Sequence, residues 1–100
     1  MIKHIVVWTL KDEAEGAGKA ANAQKMKDLL SALPPRIPVI RELEVGVDVF
    51  AASPACDVIL YTAFDTRADL DAYQVHPEHQ LVVGFVKQVA ASRSVVDYEV

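Results

Sequence analysis

The nine residues Ile2–Leu10 (IKHIVVWTL) constrain this chain more than any other stretch. Residues two apart in a strand share a face, so Ile2, His4, Val6, Trp8 and Leu10 fall on one side and Lys3, Ile5, Val7 and Thr9 on the other. Both sides are largely apolar. A sheet with one wet face alternates apolar and polar residues, whereas a strand apolar on both sides is covered on both. A chain of 100 residues makes one domain, and burying roughly 60–70% of its unfolded surface leaves it a single core. One layer of helices covers one face of such a sheet. The other face needs a partner.

The rest of the chain supplies that layer. Lys11–Gly18 is a polar connection with glycines. From Ala20 to Leu33 the residues Ala23, Met26, Leu29, Leu30 and Leu33 recur at helical spacing, and Pro34 and Pro35 stop the helix. Ile37–Val49 reads as a second strand, with Val39, Leu43, Val45, Val47 and Val49 on one face and Ile40, Glu42, Glu44, Gly46 and Asp48 on the other. Gly46 in mid-strand predicts a bulge or a close backbone approach. Phe50–Cys56 is a loop. Asp57–Phe64 is the third strand, with Val58, Leu60, Thr62 and Phe64 on one face.

Thr66 caps a short helix to Gln74, with Asp69 three residues on. Pro77 opens a longer helix to Ala91, because proline lacks only an N–H that the first helical position leaves unpaired. His76 is then the cap, and Leu81, Val82, Phe85 and Val89 form the buried stripe, with Val86 beside it. Ser94–Val100 alternates as a last strand. The order β-α-β-β-α-β describes a ferredoxin-like α+β fold, a four-stranded antiparallel sheet with its helices on one face. Ile5, Val7, Ile59 and Tyr61 fall on the open face. A homodimer, sheet against sheet, covers that face most simply, since two-fold dimers are the commonest oligomers.

Composition points the same way. Hydrophobic residues make up 52% of the chain and mean hydropathy is positive, an apolar excess that a subunit interface would absorb. No apolar run approaches the roughly 20 residues of a membrane span. A net charge of −4 without basic clusters argues against nucleic acid or anionic membrane as partner. The single Cys56 leaves no disulfide framework and fits the cytoplasm. Met1 leads directly into a strand, so no signal peptide is expected.

The stretch Tyr73-Gln74-Val75-His76-Pro77-Glu78-His79 carries the chemistry. An imidazole near a helix N-terminus and beside an apolar cavity is disfavoured in its protonated form by the macrodipole and by desolvation. Neutral His79 could then accept a proton, and Tyr73 could orient it or donate to a developing enolate oxygen. His4, on the inner face of the first strand, is the third candidate catalytic residue. The structural alternative stands beside each of these: His76 and Pro77 only start a helix, His79 and His4 are satisfied core histidines, and Tyr73 packs at the bend. Trp8, Val58, Leu60, Phe64, Leu81 and Phe85 are the candidate ligand-binding walls. His76-x-x-His79 offers two imidazoles without a third ligand, so no metal is expected. Cys56 lacks an activating neighbour. Triad, P-loop and dinucleotide signatures are absent, and no cofactor is expected.

These residues also carry a family resemblance. The opening Ile2-Lys3-His4-Ile5-Val6, Gly46 followed by Asp48, Asp57 and Phe64 at the ends of the third strand, Leu70-Asp71-Ala72-Tyr73-Gln74-Val75-His76-Pro77-Glu78-His79, Arg93 and the terminal Val96-Asp97-Tyr98-Glu99 resemble the stress-responsive A/B barrel (Dabb) family. The resemblance spans the chain as one domain, 1–100, and Tyr-x-x-His-Pro-x-His is its most specific part. It implies a dimeric α+β barrel. Most members of the family have no established activity. A plant branch includes a cofactor-free polyketide cyclase that performs an intramolecular aldol condensation in the cavity between sheet and helices. Carried over, the cyclase's acid/base histidine corresponds to His79, its partner tyrosine to Tyr73 and a histidine lining the cavity to His4. Val58 stands where the cyclase has a further cavity histidine, and no tyrosine occurs between Lys19 and Leu33.

The function expected is that of a small homodimeric stress-response protein whose cavity holds an apolar or aromatic metabolite. One alternative is a cofactor-free cyclase or isomerase with His79 abstracting a proton beside a carbonyl. Another is an oxygen-dependent monooxygenase of the related antibiotic-biosynthesis type.

Overall fold

The computed structural model describes residues 1–100. In chain order the elements are β1 (Ile2–Leu10), a small hairpin of β2 (Glu13–Ala14) and β3 (Ala17–Gly18), α1 (Lys19–Ser31), β4 (Glu42–Gly46), β5 (Val58–Phe64), α2 (Arg67–Val75), α3 (Pro77–Val89) and β6 (Ala90–Glu99). The main sheet runs β4-β5-β1-β6, antiparallel throughout. This is the ferredoxin-like α+β fold, with its second helix broken into α2 and α3 at His76.

The inner face of β1 is buried at every second residue, Ile2, His4, Val6, Trp8 and Leu10. Val58, Leu60, Thr62 and Phe64 of β5 are buried beside it. Met26 and Leu30 of α1, Leu70 and Tyr73 of α2, and Val82, Val86 and Val89 of α3 close the core from above. The opposite face of the sheet carries Ile5, Val7, Ile59, Tyr61, Val96 and Tyr98, none of them buried. Strand β6 departs furthest from a finished fold, since nine of its ten residues are exposed.

Three boundaries differ from the pattern read above. The second strand is confined to Glu42–Gly46. Residues 32–40 instead fold as successive turns, with Ile37 N–H donating to Leu33 O and Ile40 N–H to Ile37 O. Three prolines in five residues (Pro34, Pro35 and Pro38) remove ladder donors and fix turn-like φ, so Ile37 and Ile40 reach the core from a turn. The polar connection Lys11–Gly18 is not all loop, since Glu13–Ala14 and Ala17–Gly18 pair as a hairpin. Glu15 and Gly16 both have positive φ, the requirement of a tight two-residue β-turn. Finally, β6 starts at Ala90, directly after α3, with a register shift at Thr9/Leu10. Gly46 does mark a close approach: a Cβ there would lie 2.9 Å from Ile59 Cγ2.

Candidate functional site

A cavity of about 370 Å³ lies between the inner face of β1 and the helices. Its apolar wall is Val6, Trp8, Leu30, Leu60, Val82 and Val86, with Val83 completing the rim. The local folding that places its polar groups begins at the bend. Thr66 Oγ1 accepts from Asp69 N–H at 3.1 Å and starts α2. His76, extended at φ −64° and ψ 134°, ends α2 and begins α3, its Nδ1 accepting from Glu78 N–H at 3.1 Å. Pro77 follows as the first residue of α3. This break turns α3 so that Tyr73, from one helix, meets His79, from the next: their ring centroids are 4.2 Å apart.

Each histidine in the cavity is held by its Nδ1. The Gln74 carbonyl only accepts, so His79 Nδ1–H donates to it, at 3.2 Å, and Nε2 carries the lone pair of the neutral ring. Burial, reinforced by the charges of His4, Arg93 and His76, holds His79 below the ordinary imidazole pKa, against the opposing pull of the Gln74 carbonyl. His4 is 3% exposed and its Nδ1 bonds the Asp97 carboxylate across the β1–β6 ladder. Such a carboxylate fixes ring orientation and tautomer.

Tyr73 is fully buried, its ring T-shaped to that of His4 and tilted against those of Phe64 and His79. Burial drives its phenol far above the usual range, so it remains a donor at any physiological pH. Neither Tyr73 Oη nor Trp8 Nε1 has a hydrogen-bond partner within the protein, and both atoms are buried. Leaving a buried donor unpaired costs about 1–3 kcal/mol, a debt that an acceptor-bearing ligand would offset. The site thus joins one lone-pair nitrogen, two unpaired donors and an apolar wall.

The structure brings together His79, Tyr73, His4, Trp8 and Leu60. Val58 and Phe64 are wholly buried in the core beneath the cavity instead of lining it. Leu81 is 73% exposed and points to solvent. Phe85 is half-buried against the edge of the core, outside the cavity lining, with Lys25 Nζ 4.4 Å above its ring. The buried stripe of α3 is Val82, Val86 and Val89, so Val82 and Val89 of the expected stripe stay inside with their neighbour Val86, while Leu81 and Phe85 lie at or beyond its edge. Gln74, Lys87 and Arg93 line the cavity, and Asp97 anchors His4; sequence reasoning missed all four. Arg93 belongs to the same alternating set as Val95, Asp97 and Glu99, so extending that strand backwards by one residue, from Ser94, finds it. Cys56 lies outside the site, its thiol bonded to Val58 O at 3.3 Å and pushed up by burial.

The profile of the stress responsive A/B barrel domain, Dabb, matches residues 2–100. The chain belongs to the Dabb family. It is similar to a dimeric protein of unknown function with a ferredoxin-like fold from Bacteroides fragilis, at 34% identity and TM-score 0.86, over 99% of this chain and 95% of that one. A dimeric ferredoxin-like protein of unknown function from Jannaschia sp. is 31% identical with TM-score 0.76, over 99% and 98%. The hydroxynitrile lyase of Passiflora edulis shares the fold at 16% identity, with TM-score 0.81 over 99% and 92%. No curated protein sequence matches.

Proposed function

We propose that this Dabb protein is a homodimer in which each protomer holds a small apolar or aromatic metabolite in the cavity beneath its helices. One observation carries the reading: an apolar cavity of about 370 Å³ whose lining residues include two buried donors without partners. Ligand sites combine those elements, a largely apolar wall with a few convergent polar groups. The dimer is supported by the apolar outer face of the sheet and by the dimeric state named for two relatives above 30% identity. No helix is long and apolar enough to cross a membrane, the net charge of −4 speaks against nucleic acid as partner, and a single cysteine suits a cytoplasmic location.

A second reading rests on the pairing of His79 with Tyr73. A neutral Nε2 beside a phenol that stays protonated is the equipment for removing a proton next to a carbonyl while donating to the enolate oxygen. Atoms balance without a cofactor, since the proton leaves carbon for His79 and is returned later. Native mass spectrometry of the protein purified from its own source tests the first reading: twice the subunit mass plus a retained small molecule is expected, and a ligand-free monomer overturns it. His79→Ala then separates the two. Loss of turnover of the identified compound with affinity intact favours catalysis, and altered affinity without turnover in the parent favours binding.

A further inference from the structure

We infer that the cavity selects a carboxylic acid, its apolar or aromatic body inside and its carboxylate held at the mouth by Arg93 and Lys87. The inference rests on the cavity reading above and names the ligand class. Arg93 enters from β6 opposite Trp8 in the ladder, and Lys87 from the last turn of α3. Both line the cavity, and no aspartate or glutamate does. In a chain with fourteen acidic and ten basic side chains, that imbalance is local and of the opposite sign to the whole.

The other arginines are all occupied. Arg36 pairs with Glu78, Arg41 with Asp65 and Arg67 with Glu99. Arg93 and Lys87 have no ion pair and donate no side-chain hydrogen bond. Asp97, the acid nearest in the alternating set of β6, is committed to His4.

The hydrogen-bonding sense of the site agrees. Besides the two cations, Trp8 Nε1–H and Tyr73 Oη–H are donors without partners, so donors outnumber the lone-pair nitrogen of His79 in the cavity. A planar carboxylate takes two parallel bonds from one guanidinium, and Lys87 adds a point charge. The apolar wall of Val6, Leu30, Leu60, Val82 and Val86 then faces the part of the molecule without charge.

The test compares naphthoate with naphthamide, its uncharged isostere, by isothermal titration calorimetry on the intact protein and on Arg93→Gln and Lys87→Gln. Both positions are exposed, so the variants should melt like the parent. The parent is expected to bind naphthoate about tenfold more tightly than naphthamide, the scale of a charge-assisted pair. Arg93→Gln should bring that ratio close to one, chiefly by weakening naphthoate, and Lys87→Gln should reduce it about threefold. Raising salt from about 50 to 500 mM should weaken naphthoate alone. Equal binding of the two compounds, or a ratio unmoved by Arg93→Gln, overturns the carboxylate while leaving the cavity reading standing. Binding of neither removes both.

Discussion

At the scale of single residues, the site turns on two side chains whose protons are fixed by burial in opposite senses. His79 is held below its ordinary pKa, first by desolvation and then by the charges of His4, Arg93 and His76. The folded protein therefore binds fewer protons at this position than the unfolded chain, and stability rises with pH across that window. The contribution is complete above about pH 6.5, the unfolded value, and is lost as pH falls toward the lower folded one. The gap in Tm between the parent and His79→Gln should accordingly narrow from about pH 7 to pH 5; a gap independent of pH would falsify the desolvated imidazole. Tyr73 makes the complementary case. Its hydroxyl has no protein partner, so Tyr73→Phe removes an unpaired donor while keeping the ring packed on Phe64 and His79. Urea unfolding should show stability unchanged or raised by up to about 1 kcal/mol, together with weaker ligand binding. A loss of more than about 1 kcal/mol would reveal a structural partner for the hydroxyl.

At the scale of elements, the break between α2 and α3 decides what meets in the cavity. His76 ends one helix and caps the next, so His76→Ala should cost about 1 kcal/mol and His76→Asn should recover most of it. A thermal melt of the three proteins reads this directly. Leu81, turned outward, should tolerate serine within about 0.5 kcal/mol. The bend was legible because proline and its preceding cap leave a local chemical mark. The main strands and α1 were legible because periods of two and near four residues alternate along the chain. The β2–β3 hairpin was not, since two-residue strands leave no period, and β4 was overextended because valines continue past the point where pairing with β5 stops. The exposure of Leu81 was also hidden. Leu81 and Val82 are both apolar, and only packing against α1 and the sheet chooses between them. Arg93 and Lys87 share a cavity for the same kind of reason: the β1–β6 register and the roll of α3 are tertiary facts.

At the scale of the whole molecule, the open sheet face and β6 set the terms. Just over half the residues are hydrophobic, yet only 23 of 100 are buried, and Ile59, Val96 and Tyr98 lie exposed on one surface with Ile5 and Val7 half-covered. Lys3, Tyr61 and Glu42 form a linked polar group on that surface, which would fix how a second copy sits. Two-fold symmetry places every substitution in the interface twice. Ile59→Lys costs a lone protomer less than a core substitution would, because the residue is already 36% exposed there, but it sets two unpaired charges into an apolar contact. Burying an unpaired charge costs several kcal/mol, so the dissociation constant should rise at least about a hundredfold. Sedimentation equilibrium should show the parent as a dimer and the variant as a monomer. The Tm of the parent alone should climb with protein concentration, because association stabilises only the folded state. An Ile59→Lys protein that still sediments as a dimer would place the interface elsewhere, and the uncovered strand β6 would be the next surface to substitute.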